Sequence, residues 1–249
     1  MASVKSWSRR VAATAALCLV LAGCATQRNG FHTHPQAVAR CQQIKMILVA
    51  SPEVKAYEVS AGGNSEQVGE WSAQAVDNVS KALVERFKGS GITIATLTPQ
   101  GAGQQELEEV RALFGAVTQS IHLHTFSNKP NYFPDWENQF DFSVGSLQAL
   151  LKPQGGDALL LVYGEDQFAT TGKKALNTLG AITGVLASAV TGVAMLPHTE
   201  GTYLQMALAD RDGHILWYNV KSGRSDLRQP DSCNKFVEDA LEDFPGFAK

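Results

Sequence analysis

The chain alternates between short apolar runs bounded by turn residues and longer stretches in which apolar residues recur every three or four positions. The short runs are typical of buried strands, and the three-to-four spacing is typical of amphipathic helices. The predicted strands are residues 44–50, 92–97, 156–163, 203–210 and 215–220, and the predicted helices are residues 66–87, 104–122, 144–151 and 231–244. This order predicts a single α/β domain in which helices cover a mixed sheet.

Two parts of this pattern are especially informative. Residues 158–162 read Ala-Leu-Leu-Leu-Val, which is apolar on both faces and indicates a central strand. Asp212-Gly213 separates two apolar runs and is a strong hairpin signal. At the start of the last helix, Asp231 or Ser232 is the predicted N-cap.

The N-terminal segment has the pattern of a secretory signal. A basic stretch, residues 5–10, precedes an uncharged apolar run over residues 11–22. The run ends in Leu21-Ala22-Gly23-Cys24, which resembles the lipobox of bacterial lipoproteins. That resemblance implies cleavage before Cys24, acylation of Cys24 and, because Ala25 is not Asp, an outer-membrane location facing the periplasm. A plain secretory signal and a short membrane anchor are the alternatives.

Cleavage divides the chain into a signal peptide (1–23), a polar lipidated tether (24–40) and a periplasmic domain (41–249). Removing three positive charges and no negative ones changes the formal net charge from −3 to −6. A domain of this charge has no electrostatic attraction for nucleic acid, so its expected membrane contact is the lipid.

Two histidine pairs share a one-residue spacing. His32 and His34 lie in the predicted tether, and His122 and His124 lie at the end of a predicted helix. Neither pair has a cysteine or carboxylate at ligand spacing, so we predict no metal site at either one.

Four cysteines are present, and the predicted processing leaves two of them as thiols. Cys18 leaves with the signal and Cys24 is acylated. Cys41 precedes the first predicted strand and Cys233 opens the last predicted helix. In an oxidising compartment this pair predicts a disulfide between the two ends of the domain, and two buried free thiols are the alternative.

A hydrophobic insertion is predicted over residues 165–202. Its central part, residues 175–196, has no charged residue and has small residues four positions apart, Gly180, Gly184, Ser188 and Gly192. Small residues at this spacing allow helices to approach closely. Since we expect the strands on either side to belong to one sheet, a single membrane crossing conflicts with the predicted topology and the segment must return. Packing within the domain, contact between copies and contact with the membrane remain open.

Catalytic motifs do not stand out. The sequence has no nucleophile elbow, P-loop, HExxH or paired-cysteine zinc motif. Glu165 and Asp166 follow the central strand, where α/β folds place ligands, and an exposed loop is the favoured interpretation. No catalytic residue and no cofactor is predicted, and an envelope hydrolase is the weak alternative.

Two segments resemble a lipoprotein pattern. They are Gly-Asp-Ala-Leu-Leu-Leu-Val at residues 156–162 and Leu-Ala-Asp-Arg-Asp-Gly-His-Ile-Leu-Trp at residues 208–217. The pattern is similar to that of the superfamily containing the curli-secretion channel subunits and the penicillin-binding-protein activator lipoproteins. The resemblance implies a fold like the TolB amino-terminal, anticodon-binding-like domain over residues 41–249, and structural roles for the matched residues.

The function expected from these observations is a non-enzymatic lipoprotein that binds or assists another envelope protein. The alternative is a subunit of an oligomeric outer-membrane export or pore complex. A homo-oligomer is therefore possible, and no nucleic-acid partner is expected.

Overall fold

Eight strands form one mixed sheet within the residues that the computed structural model describes, 30–60, 64–125, 140–169 and 201–247. The strands are β1 (Gly30–Thr33), β2 (Met46–Val49), β3 (Glu53–Val59), β4 (Ser65–Gln67), β5 (Thr93–Thr96), β6 (Ala158–Ala169), β7 (Gly201–Asp210) and β8 (Ile215–Gly223). The helices are α1 (Ala37–Cys41), α2 (Gly69–Phe87), α3 (Ala102–Thr125), α4 (Gln148–Leu151) and α5 (Pro230–Ala240). The predicted α/β fold class is confirmed.

The sheet is organised around β6. Its order is β1-β8-β7-β6-β2-β5, with β7 antiparallel to β6 and β2 parallel to it. The edge of β6 that meets β2 also pairs with β3 further along, so one long strand supports two shorter ones. The predicted central strand and the predicted hairpin between β7 and β8 are both present.

Helices cover both faces of the sheet. On one face, α2 and α5 pack over Trp217, which is fully buried and stands edge-on to Phe244. On the other face, α3 packs over the neighbouring residue of β8, Tyr218, which is also fully buried. The alternation of side chains along a strand places these two aromatic residues in different core layers. Within the described residues, no helix is both long enough and apolar enough to cross a membrane.

The start of the domain lies earlier than the sequence predicted. Residues 30–33 form an edge strand on β8, and the His34 N–H continues the pairing by donating to the Leu216 carbonyl. α1 follows, with Ala37 and Cys41 buried. Residues 30–40, which the sequence analysis placed in the tether, thus include a strand and a helix of the described domain. An isolated four-residue strand has too weak a pattern to be distinguished from polar linker, and its partner strand defines it.

Other differences concern the ends of elements. α5 begins after Gln229, whose side chain makes no capping hydrogen bond, so the predicted caps Asp231 and Ser232 lie inside the helix. The Ser232 hydroxyl instead lies 2.8 Å from the Ser225 hydroxyl and accepts from the Asp226 N–H at 2.9 Å. Ser232 therefore attaches α5 to the preceding loop and does not cap the helix.

Candidate functional site

The ends of β6 and β7 form the base of the segment that contains the uncharged run 175–196. Gln167 pairs with Gly201, so residues 170–200 leave and return on adjacent antiparallel strands. The strands on either side of the segment share one sheet, as expected, and residues 165–169 and 201–202 of the predicted insertion belong to those strands. Its small residues, Gly180, Gly184, Ser188 and Gly192, lie outside the described residues, as does the predicted lipidation site Cys24.

Asp166 is fully buried near the end of β6. The Leu227 N–H donates to its Oδ2 at 2.7 Å, and the Thr202 Oγ1 lies 2.8 Å from its Oδ1. The same hydroxyl oxygen lies 2.8 Å from the Ser225 carbonyl oxygen and accepts from the Ser225 N–H at 3.1 Å. These four residues, the Asp166 cluster, join β6, β7 and the loop before α5.

The placement of Asp166 corrects the prediction of an exposed loop. Burial raises the pKa of Asp166 from 3.8 to about 7, while the hydrogen bonds from Leu227 and Thr202 act in the opposite direction. A buried carboxylate that remained charged would need stronger compensation than these two bonds supply. Below about pH 7 the environment therefore favours the protonated acid.

The adjacent carboxylate, Glu165, lies on the opposite face of the same strand, because side chains alternate along β6. Its register neighbours are Lys55 on β3 and Tyr203 on β7. Burial raises the pKa of Glu165, and Lys55 opposes that shift. Glu165 and Asp166 thus do not form a carboxylate pair for acid–base chemistry, and the arrangement gives the hydrolase alternative no support.

Arg228 lies on the outer side of the same loop, residues 225–228. Its guanidinium lies 3.6 Å from the ring centroid of Phe168 and 4.4 Å from that of Trp71. It also forms a two-pronged pair with Asp226, with both N···O distances 2.9 Å. On the inner side, the Asn78 Nδ2 donates to the Leu227 carbonyl at 2.9 Å. Contacts from α2, β6 and β7 therefore fix residues 225–228.

A second polar cluster lies at the opposite end of β8 and contains His34, Asp141 and His214. The Asp141 Oδ1 lies 3.3 Å from the His34 Nε2 and 3.4 Å from the His214 Nδ1. His34 is 7% exposed, and the buried His214 Nδ1 has no hydrogen-bond partner among the described residues. Each of the three residues has one ligand atom, an imidazole nitrogen or a carboxylate oxygen, and these atoms lie within 4.8 Å of one another. A spacing of this kind is compatible with a shared metal ion.

The surroundings of His34 argue against a metal ion at this cluster. The Gln36 N–H donates to the His34 Nδ1 at 3.0 Å, so that nitrogen carries a lone pair and neutral His34 has its proton on Nε2. Nε2 is the atom that faces Asp141. A histidine bound to a metal through Nε2 ordinarily donates from Nδ1, which is impossible here without breaking the Gln36 contact. The geometry fits an imidazole N–H directed at a carboxylate better than a metal ligand set.

Sequence reasoning missed this cluster because its members come from three distant segments. His34 precedes α1, Asp141 precedes α4, and His214 stands between β7 and β8. No local spacing connects them. Asp166 had a weak signal, since apolar Phe168 two positions further on indicates that the strand extends beyond residue 163.

Cys41 and Cys233 are free, buried thiols, so the predicted disulfide is not present in the structure. Burial, and secondarily Asp210, raises the pKa of Cys41 to about 11, while burial, and secondarily Asp166, raises that of Cys233 to about 12.

The physical reason is that the two thiols stand near opposite ends of the sheet. Asp210 pairs with Ala158, and Asp166 lies eight residues further along β6, about 26 Å away at the rise of an extended strand. A disulfide requires Cα atoms within about 7 Å. Both cysteines belong to the same buried layer. Their positions in the sequence do not show that they lie at opposite ends of that layer.

No protein-family model matches this chain, and no curated protein is detectably similar to it. Among solved structures, the chain is similar to a PelC dodecamer from Paraburkholderia phytofirmans, with 11% identity, 90% of this chain and 99% of that chain covered, and a TM-score of 0.38. A point variant of the PelC dodecamer from the same organism gives 10% identity, coverages of 90% and 100%, and a TM-score of 0.37. At these scores the likeness supports no argument about structure or function.

Proposed function

We propose that this protein is an outer-membrane lipoprotein whose α/β domain faces the periplasm and binds another envelope protein or assembly without catalysing a reaction. The lipobox ending at Cys24 supports the location. The observation that carries the binding role is the base of residues 170–200, which contain the uncharged run 175–196: Gln167 pairs with Gly201, so both ends of the segment belong to one sheet. A domain with an uncharged run of 22 residues inserted at one end of its sheet suits contact with a partner.

The base is well suited to transmit such a contact to the domain. The Asp166 cluster connects the strand ends on either side of the segment to the loop before α5. Arg228, held between two aromatic rings, covers the same region. These hydrogen bonds and cation–π contacts attach the strand ends at the base to the loop before α5.

The second candidate is a subunit of an oligomeric export or pore complex, in which the same segment joins copies of the chain. The small residues Gly180, Gly184, Ser188 and Gly192 favour it, because such a ridge permits close helix approach. The dodecameric state belongs to the PelC structures, and this candidate does not rest on it.

Replacing residues 170–200 tests the binding role directly. Since Gln167 pairs with Gly201, a linker of about four residues containing Asn-Gly closes Ala169 onto Gly201 as a hairpin. We expect the variant to keep its melting temperature within a few degrees and its membrane attachment, but to lose the partners that copurify with the wild type. Chemical cross-linking in membranes followed by mass spectrometry measures this.

A point variant separates the two candidates. Gly184→Leu places a bulky side chain on the small-residue ridge, and Ala189→Leu, a similar enlargement off the ridge, is its control. Loss of self-association by light scattering in the first variant alone supports the oligomeric subunit. Retention of every partner by the 170–200 replacement contradicts both candidates.

Cys24→Ser tests the location. We expect this variant to leave the membrane fraction or to accumulate as the uncleaved precursor, because the serine hydroxyl cannot replace the acylated thiol. Fractionation with lipid labelling measures it, and labelling equal to the wild type would contradict the assignment.

A further inference from the structure

The hydrogen-bond count around Thr202 favours the protonated form of Asp166. The Thr202 hydroxyl has one proton, yet it stands 2.8 Å from two potential acceptors, the Asp166 Oδ1 and the Ser225 carbonyl oxygen. With an ionised Asp166, the single Thr202 proton can be donated to only one of these two oxygens, and the other receives no hydrogen bond from Thr202. With a protonated Asp166, the acid donates to the Thr202 Oγ1, and Thr202 donates to Ser225.

The second arrangement also satisfies the remaining groups. The Thr202 oxygen then accepts from the acid and from the Ser225 N–H at 3.1 Å, which uses both of its lone pairs. The Asp166 Oδ2 accepts from the Leu227 N–H at 2.7 Å. Because Asp166 is fully buried, an ionised carboxylate there would have only these two hydrogen bonds and no hydration, while the protonated form gives the cluster one hydrogen bond more.

We propose that Asp166 is a pH-sensitive latch, which is protonated in the closed fold and which, on ionisation, weakens the attachment of residues 225–228 and the first turn of α5 to the end of β6 and β7. The proposal is independent of the function of the 170–200 segment.

The groups facing Asp166 are consistent with this role. Asp226 raises the pKa of Asp166 and Arg228 lowers it, both less than burial does. Arg228 already pairs with Asp226 and so is a poor counter-ion for a second carboxylate. β7 contributes Thr202, α2 contributes the uncharged Asn78 through the Leu227 carbonyl, and α5 contributes the Cys233 thiol.

The direction of the pH effect follows from the raised pKa. The folded protein holds a proton with a pKa of about 7, whereas the unfolded chain releases it near 3.8. Stability from this group is fully present below about pH 4, falls as the pH rises toward 7, and changes little above that. A salt-bridged carboxylate would give the opposite slope.

Cys233 and Cys41 provide a local readout with an internal control. Cys233 is fully buried beside the latch, and Cys41 is buried near the other end of the sheet. The full-length protein is treated with iodoacetamide from pH 5 to 8.5, and peptide mapping gives the ratio of Cys233 to Cys41 labelling. Taking the ratio corrects for the pH dependence of thiol reactivity. We expect it to rise on the order of tenfold across this range.

Asp166→Asn tests the assignment, because an amide imitates the protonated acid by donating to Thr202 and accepting from Leu227. We expect its labelling ratio to be flat with pH, and its melting temperature to match the wild type near pH 5 but to exceed it by about 5 °C or more at pH 8. Asp231→Asn makes the same chemical change at an exposed position of α5 and should leave the wild-type slope intact.

Two results would overturn the proposal. One is a wild-type labelling ratio that does not change with pH. The other is an Asp166→Asn variant that melts well below the wild type at pH 5, since this would show that the native fold requires the carboxylate.

Discussion

At the tip of the β7–β8 hairpin, Gly213 has a backbone conformation and a contact that exclude a side chain. Its φ is +86°, in the left-handed region that favours glycine. A Cβ added there would lie 1.7 Å from the Gly145 carbonyl oxygen. The Gly213 carbonyl in turn accepts from the Val144 N–H at 2.9 Å, so the backbones are held together at this point.

Gly213→Ala should therefore destabilise the protein by about 3 kcal/mol or more, because backbone strain and a backbone clash add. Gly115→Ala is the matched control. Gly115 lies inside α3 with no atom within 4 Å of an added Cβ, so alanine should stabilise by about 0.5–1 kcal/mol through its better helix propensity. Thermal unfolding of both variants measures the difference, and equal melting temperatures would show that the hairpin does not hold this contact in solution.

Among the elements, β1 and α1 extend the domain into the region predicted as tether. β1 covers the outer edge of β8 in antiparallel register from Gly30 to Thr33. Arg40 at the end of α1 pairs with Asp210 at the end of β7. Together they close an edge that would otherwise present unpaired backbone groups.

Two truncations test this boundary. A chain that begins at residue 30 should melt close to the mature protein, whereas one that begins at residue 41 should melt about 5–10 °C lower and aggregate, because the β8 edge is uncovered. Circular dichroism and light scattering report the two effects. If both chains melt at the same temperature, β1 and α1 contribute no stability and the sequence-based boundary is the better one.

For the molecule as a whole, the two polar clusters occupy opposite ends of the sheet. One cluster connects the segment between β1 and α1 to the β7–β8 hairpin through His34, Asp141 and His214. The Asp166 cluster connects the base of residues 170–200 to the loop before α5. The length of β6 and β7, about 26 Å between the positions of Asp210 and Asp166, separates these ends. The same separation keeps Cys41 and Cys233 apart, and it allows the labelling of one thiol to serve as the reference for the other.

Patterns that span only a few residues determined much of this protein. The run Ala158–Val162 is central because both faces of its strand are apolar, and Asp212-Gly213 makes a hairpin because the turn needs residues of this kind. The amphipathic stretches became α2, α3 and α5 for the same local reason. Together these elements were sufficient for the α/β class, and the lipobox, also a local pattern, was sufficient for the expected location.

Only the tertiary structure decided the features that depend on a distant partner. β1 is a strand because β8 lies beside it, and Asp166 is buried because residues 225–228 fold over the end of β6. The histidine cluster and the separation of the two thiols are likewise set by which strand ends meet. The free energy of a strand edge or a buried carboxyl group depends on its neighbours in space, and a linear pattern contains no record of those neighbours.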